Sequence, residues 1–232
     1  MENFANLMNK YAKKLNLKNT HFYNASGLDE KVENKSTAYD MSLIMSYAMK
    51  NDVFKKIVGT KNYKTKSSYK TYSWQNKNRL LFSYEYATGG KTGYTKKANR
   101  TLVTSASKDD MNVIIVTLND GNDFLNHKNL YEKVFKEYYS LKLLDKNITS
   151  LEKNKKIYYV KNNYSLMIKK GEEQNIEVKY LYYKKKVNNI GGKVEIYYKD
   201  KLVYKDHLYI KDKKPNKIIS IYQKIKDWFL KW

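Results

Sequence analysis

The stretch Ala87-Thr88-Gly89-Gly90-Lys91-Thr92-Gly93-Tyr94-Thr95 decides how this chain is read. Its residues are strand formers interrupted by three glycines within five positions, which weakens a strand unless something must approach its backbone closely. The residues inside that frame suit an anionic ligand. Lysine carries a fixed positive charge, threonine offers a hydroxyl to a carboxylate, and Gly93 leaves room for a second backbone. A strand lysine is usually just solvated, and the flanking glycines are what make Lys91 a candidate binding residue.

Working outward, residues 101–107 and 113–118 read as buried strands joined by the polar turn Lys108-Asp109-Asp110. Residues 125–139 then give a helix with Leu130, Val134, Phe135 and Tyr138 facing inwards. Upstream, residues 80–82 are a further strand candidate, and the aromatic and threonine-rich run from Lys61 to Trp74 predicts a β-hairpin. Residues 2–16 carry Phe4, Leu7, Met8, Tyr11, Ala12 and Leu15 at helical spacing. Asn24-Ala25-Ser26-Gly27-Leu28-Asp29 is a turn. Ser36 or Thr37 caps a second helix, with Asp40 at the capping-box position, and residues 53–58 form a third. Helices against an antiparallel sheet make an α+β domain, here expected over residues 1–147.

Past residue 147 the pattern changes to strand candidates at 157–160, 164–168, 176–183, 193–198 and 202–210, broken by Gly171, Gly191-Gly192 and Lys199-Asp200. This predicts a small β-sandwich-like domain over residues 148–212. Pro215, the only proline, opens a last helix over 213–232. Its apolar face (Ile218, Ile221, Tyr222, Ile225, Phe229) and interspersed lysines fit an amphipathic helix on an anionic membrane surface, with docking onto the β-domain as the alternative.

Composition excludes some chemistry. With no cysteine there are no disulfides, thiol nucleophiles or cysteine-ligated metals. His21, His127 and His207 stand far apart outside any metal-spacing motif, so no metal and no cofactor are expected. The net charge of +23 is almost all lysine, and residues 151–232 alone hold 21 basic against 9 acidic side chains. Only Arg79 and Arg100 are arginines, whereas readers of bases and phosphates favour the guanidinium fork, so nucleic acid is not an expected partner. Compositional bias with solubility comes first, an acidic wall or membrane surface second.

The blocks at residues 8–22, 26–29, 36–41, 89–95 and 100–103 occur in an order and wording that together resemble the D-alanyl-D-alanine carboxypeptidases, the low-molecular-mass penicillin-binding proteins, in their Gram-positive form. The resemblance covers residues 1–140 and implies a transpeptidase/β-lactamase-like domain. It further implies a serine enzyme of peptidoglycan maturation that removes the terminal D-alanine of stem peptides, binds β-lactams and works on the outer face of the cell membrane. In such enzymes Ser-x-x-Lys supplies nucleophile and base, Ser-x-Asn completes the proton relay, and Lys-Thr-Gly forms the opposite wall. By resemblance Lys91, Thr92 and Gly93 bind the substrate's terminal carboxylate, with Lys77 or Arg79 as a further basic contact. The backbone N–H of Tyr94 becomes an oxyanion donor.

Ser-x-Asn does not occur in the sequence. Ser-x-x-Lys occurs as Ser67–Lys70, Ser105–Lys108 and Ser150–Lys153, the number that chance gives for this serine and lysine content, and none opens an apolar helix. The nucleophile is therefore expected upstream of Met1, in a parent of which this chain is an N-terminally truncated part, inactive alone. A non-catalytic wall- or membrane-binding protein on the same scaffold is the alternative.

Overall fold

The computed structural model describes residues 2–29, 33–153 and 156–211, which divide into two units between Lys136 and Glu137. That division lies ahead of the boundary expected at 147, because the strand that follows the last helix of the first unit pairs inside the second. The terminal helix expected over 213–232 lies outside the described residues.

The first unit opens with α1 (Glu2–Lys14), α2 (Ala38–Ala48) and α3 (Asp52–Gly59). Thr37 caps α2, its Oγ1 accepting the Asp40 N–H at 3.1 Å. Asp40 does not close a reciprocal capping box. Its carboxylate is buried and accepts the Asn19 N–H at 3.0 Å and the Thr20 hydroxyl at 2.7 Å, which ties the loop after α1 to the start of α2. The turn at 24–29 forms around Asn24, whose Oδ1 accepts the N–H of Gly27, a residue at φ 73° where glycine is strongly favoured.

A hairpin of β1 (Asn62–Lys66) and β2 (Thr71–Gln75) follows. Residues 80–82, expected as a strand, instead form the short helix α4 (Leu80–Ser83). A strand would send Leu80 and Leu81 to opposite faces. The helical turn buries both, and the Asn78 side chain starts it by accepting the Leu80 N–H at 3.2 Å.

β3 (Ala87–Thr95), β4 (Asn99–Lys108) and β5 (Met111–Leu118) form an antiparallel sheet in the order β3-β4-β5. β4 and β5 are joined through Asp109 and Asp110, both at positive φ, the backbone that a two-residue hairpin requires. α5 (Asp123–Glu137) closes the unit. Alternation along β4 separates the layers: Ser105 faces Met49 at the end of α2, while Thr104 hydrogen-bonds His127 and Tyr131 of α5. Helices therefore cover both faces of the sheet.

The buried stripe of α5 is Asp123, His127, Tyr131 and Phe135, one residue each fourth position. Of the inward face expected from the sequence, Phe135 is buried and Val134 half-buried, whereas Leu130 is exposed and Tyr138 already belongs to the next strand. Two of the four buried residues are polar, so apolar periodicity alone misplaces the face.

Among the described residues from Tyr138 onward, the second unit is all-β apart from a single 3-10 turn at Glu173–Asn175. β6 (Tyr138–Leu144) pairs with β9 (Tyr164–Lys169), and β7 (Ser150–Lys153), β8 (Lys156–Tyr159), β10 (Ile176–Val187), β11 (Ile190–Tyr198) and β12 (Lys201–Lys211) form a sheet ordered β10-β11-β12-β8-β7. Its core gathers Leu143, Leu144, Tyr158, Val160, Val194, Ile196, Leu208 and Ile210. Fully burying each such side chain stabilises by about 1.5–3 kcal/mol. No helix among the described residues is long and apolar enough to cross a membrane.

Candidate active-site strand

Lys91, Thr92, Gly93 and Tyr94 all lie on β3, which pairs with β4 on one side only among the described residues. An edge strand keeps a row of backbone N–H and C=O groups for an extended ligand. Cross-strand pairs share a face. Lys91 opposite Val103 therefore points to the α2 and α3 side, and Thr92 opposite Leu102 to the α5 side.

Lys91 is exposed, its Nζ donates to the carbonyl oxygen of Thr92, and it has no acidic partner among the described residues. Nearby cations are already engaged: Lys97 with Glu33, and Arg100 with the buried Asp123 at 2.7 Å. Asp123 holds the Arg100 guanidinium more firmly charged than usual. Lys91 is thus a cation on the open edge of the sheet with no carboxylate of its own among the described residues.

The glycines seat this strand. A Cβ on Gly90 would stand 2.6 Å from the Val103 carbonyl oxygen and 2.9 Å from both Asn78 Nδ2 and Thr104 Cγ2. A Cβ on Gly93 would collide with the hydroxyl of Thr101. At Gly90 the obstacle includes backbone, so Gly90→Ala is expected to cost about 1–3 kcal/mol through overpacking. Urea unfolding of the two proteins measures that loss, and unchanged stability would contradict the tight seating of β3 on β4.

Behind Gly90 lies a polar network that sequence reasoning did not find. Thr104, the register partner of Gly90, has its hydroxyl 2.7 Å from both His127 Nδ1 and Tyr131 OH, and His127 Nε2 is 3.0 Å from the hydroxyl of Thr117. His127 thereby bridges β4 and β5 to α5. Its burial lowers its pKa to about 4, against a weaker opposing pull from Asp123 and Asp120. The unfolded chain binds the proton near the ordinary value of about 6.5. Stability from neutral His127 is therefore complete above pH 6.5 and is lost as pH falls towards 4. The loss amounts to up to about 3 kcal/mol. His127→Gln should flatten this part of the stability profile between pH 7 and 4.5, and an unchanged slope would mean that other groups carry the acid sensitivity.

Arg79 and Arg100 converge on one ring, their guanidinium carbons 5.8 and 5.6 Å from the centroid of Phe124 at the start of α5. Arg79 is exposed there, and Lys77 is also exposed. Asn78 between them is buried, with Nδ2 unpartnered among the described residues and directed at Gly90. Phe124 and Asn78 carry no motif that would have marked them in the sequence.

None of the three Ser-x-x-Lys pairs lies on a helix. A helix places residues i and i+3 on one face, whereas a strand places them on opposite faces. Ser105 is buried on β4 with its hydroxyl 2.7 Å from that of Thr88, while Lys108 turns the other way to sit 4.5 Å from the Tyr86 ring. Ser150 and Lys153 share β7, and Lys153 lies 4.1 Å from the Tyr182 ring. Ser67 is in the β1–β2 turn, where its oxygen accepts the N–H groups of Tyr69 and Lys70. No group of His, Asp or Glu among the described residues could hold a metal ion.

The family model for D-alanyl-D-alanine carboxypeptidases matches residues 1–122, more than half of the chain. The chain belongs to this family. It is 33% identical over 187 residues to the D-alanyl-D-alanine carboxypeptidase DacF of Bacillus subtilis, covering 75% of this chain and 47% of the relative. It is 39% identical over 120 residues to a D-alanyl-D-alanine carboxypeptidase of a Streptomyces species, covering 49% of this chain and 41% of the relative. The chain thus spans about half the length, or less, of these curated relatives. Among solved structures, penicillin-binding protein 5 from Haemophilus influenzae superposes over 90% of this chain and 65% of its own, with a TM-score of 0.67 and 24% identity, a likeness of fold. The α+β reading of the D-alanyl-D-alanine carboxypeptidase chain, with its antiparallel sheets, agrees with that fold.

Proposed function

We propose that this chain supplies the Lys-Thr-Gly wall of a serine-type D-alanyl-D-alanine carboxypeptidase of peptidoglycan maturation, acting on the outer face of the cell membrane. The observation that carries the reading is Lys91 itself, an exposed cation without an acidic partner among the described residues, on a strand whose glycines are packed down onto β4. Family membership gives that arrangement its meaning. A stem peptide ending in D-Ala-D-Ala lies along the free edge of β3, its terminal carboxylate at that edge, where Lys91 Nζ reaches it from one face of the strand and the Thr92 hydroxyl from the other. Gly93 admits the peptide backbone. The N–H of Tyr94 is one of the donors to the oxyanion that forms when the scissile carbonyl is attacked, a contact worth several kcal/mol in acyl transfer. Between the two basic candidates beside the strand, Arg79 is favoured over Lys77, because Phe124 holds its guanidinium in place.

Chemistry requires a nucleophile, and the three serine–lysine pairs of this chain do not provide one. The chain therefore binds but does not cut without a Ser-x-x-Lys and Ser-x-Asn segment, and β-lactams acylate only a protein that has both parts. The direct test is retention of a labelled D-Ala-D-Ala peptide on the immobilised chain. We expect Lys91→Ala to reduce retention at least fivefold, and equal retention would remove Lys91 from the carboxylate site.

A further inference from the structure

We propose that the β1–β2 hairpin and α3 form a glycan-binding groove, which rests on the reading of this chain as part of a wall enzyme and extends it from the peptide to the sugar strand. Tyr63 and Trp74 are register partners, and Tyr72 lies two residues along from Trp74, so all three rings share one face of the hairpin. The Tyr63 and Trp74 rings are 6.2 Å apart and within 9° of parallel, and the Tyr72 and Trp74 rings are 5.3 Å apart and within 15°. Despite this stacking, Trp74 remains 53% exposed and Tyr63 57%.

Two of these rings, Tyr63 and Trp74, line a cavity of about 410 Å³ together with Lys56, Ile57 and Thr60 of the α3 segment and Gln75 and Asn76 at the end of β2. That volume lies in the range of small-ligand sites. Parallel aromatic faces present a negative quadrupole to the polarised axial C–H groups of a pyranose ring. Lys56 and Lys61 in the lining supply hydrogen bonds to hydroxyl and acetamido groups. Cross-strand stacking alone would stabilise the hairpin, but it accounts for neither the exposed faces nor Ile57, 66% exposed on the opposite wall.

A lipid surface suits these residues less well. The hairpin tip, which would have to enter a membrane first, reads Lys66-Ser67-Ser68-Tyr69-Lys70, and Tyr63 and Trp74 line a groove, a shape that fits a rod-like polymer.

Calorimetry and saturation-transfer NMR with chitotetraose, a peptide-free β-1,4-linked N-acetylglucosamine oligomer, test the proposal on the full chain. We expect saturable binding, weakened at least tenfold by Trp74→Ala and by Ile57→Ser. The second substitution leaves the ring stack untouched, so a loss there cannot come from a misfolded hairpin. Lys91→Ala should leave glycan binding intact, which separates this site from the peptide wall. No binding at millimolar chitotetraose would overturn the proposal. So would binding insensitive to both substitutions, or Trp74-dependent sedimentation with phosphatidylglycerol vesicles in the absence of glycan binding.

Discussion

Incubated with a labelled penicillin and run on a denaturing gel, this chain is expected to carry no covalent label. Acylation needs a hydroxyl deprotonated by a neighbouring base and directed at a carbonyl held among oxyanion donors. Ser105 is buried between Thr88 and the backbone of Gly89, and its lysine leaves the far face of the strand. Ser150 meets the same strand geometry, and the Ser67 oxygen is taken up by turn amides. The effect is all-or-none, because a site without a nucleophile forms no acyl-enzyme however well it binds. A labelled band that vanishes in Ser67→Ala would show that the exposed hairpin turn can assemble a site.

The second large effect concerns Lys91 in a protein that does turn over. Where this chain is joined to, or reconstituted with, a segment carrying Ser-x-x-Lys and Ser-x-Asn, Lys91→Ala should lower kcat/KM on D-Ala-D-Ala peptides about 100-fold. That corresponds to about 2–3 kcal/mol, the strength of a charge-assisted contact in a water-poor site. The fold should persist, since Lys91 is exposed and forms no ion pair among the described residues. A kcat/KM within threefold of the parent, with stability unchanged, would show that the carboxylate is held elsewhere.

What the sequence made legible follows its physics. Alternation and turn residues located β4 and β5, because Asp109-Asp110 is a turn signal and both strands are rich in β-branched residues. The glycines around Lys91 marked the candidate strand because close packing leaves a compositional trace, and at Gly90 and Gly93 a side chain has no room. α4 was misread as a strand because three apolar residues carry no period, and the contact at its start, the Asn78 side chain accepting the Leu80 N–H, leaves no apolar pattern in the sequence. The inner face of α5 was misassigned for a related reason. Three of its four buried residues, Asp123, His127 and Tyr131, carry polar groups made tolerable inside by Arg100, Thr104 and Thr117, partners that lie on other elements. Apolar periodicity cannot register a polar face whose partners arrive through folding. The aromatic row on the hairpin could be read as strand formers, but that its rings stay exposed beside α3 is a tertiary fact.

The most direct test of the central claim is an amide chemical-shift map of the isotopically labelled chain titrated with two peptides. One ends in D-Ala-D-Ala with a free carboxylate, and the other has the same sequence with an amidated terminus. The account predicts saturable shifts concentrated at Lys91, Thr92, Gly93 and Tyr94 for the free acid, and at least a tenfold weaker response for the amide or in Lys91→Ala. Equal responses to the two peptides, or shifts centred away from β3, would contradict it.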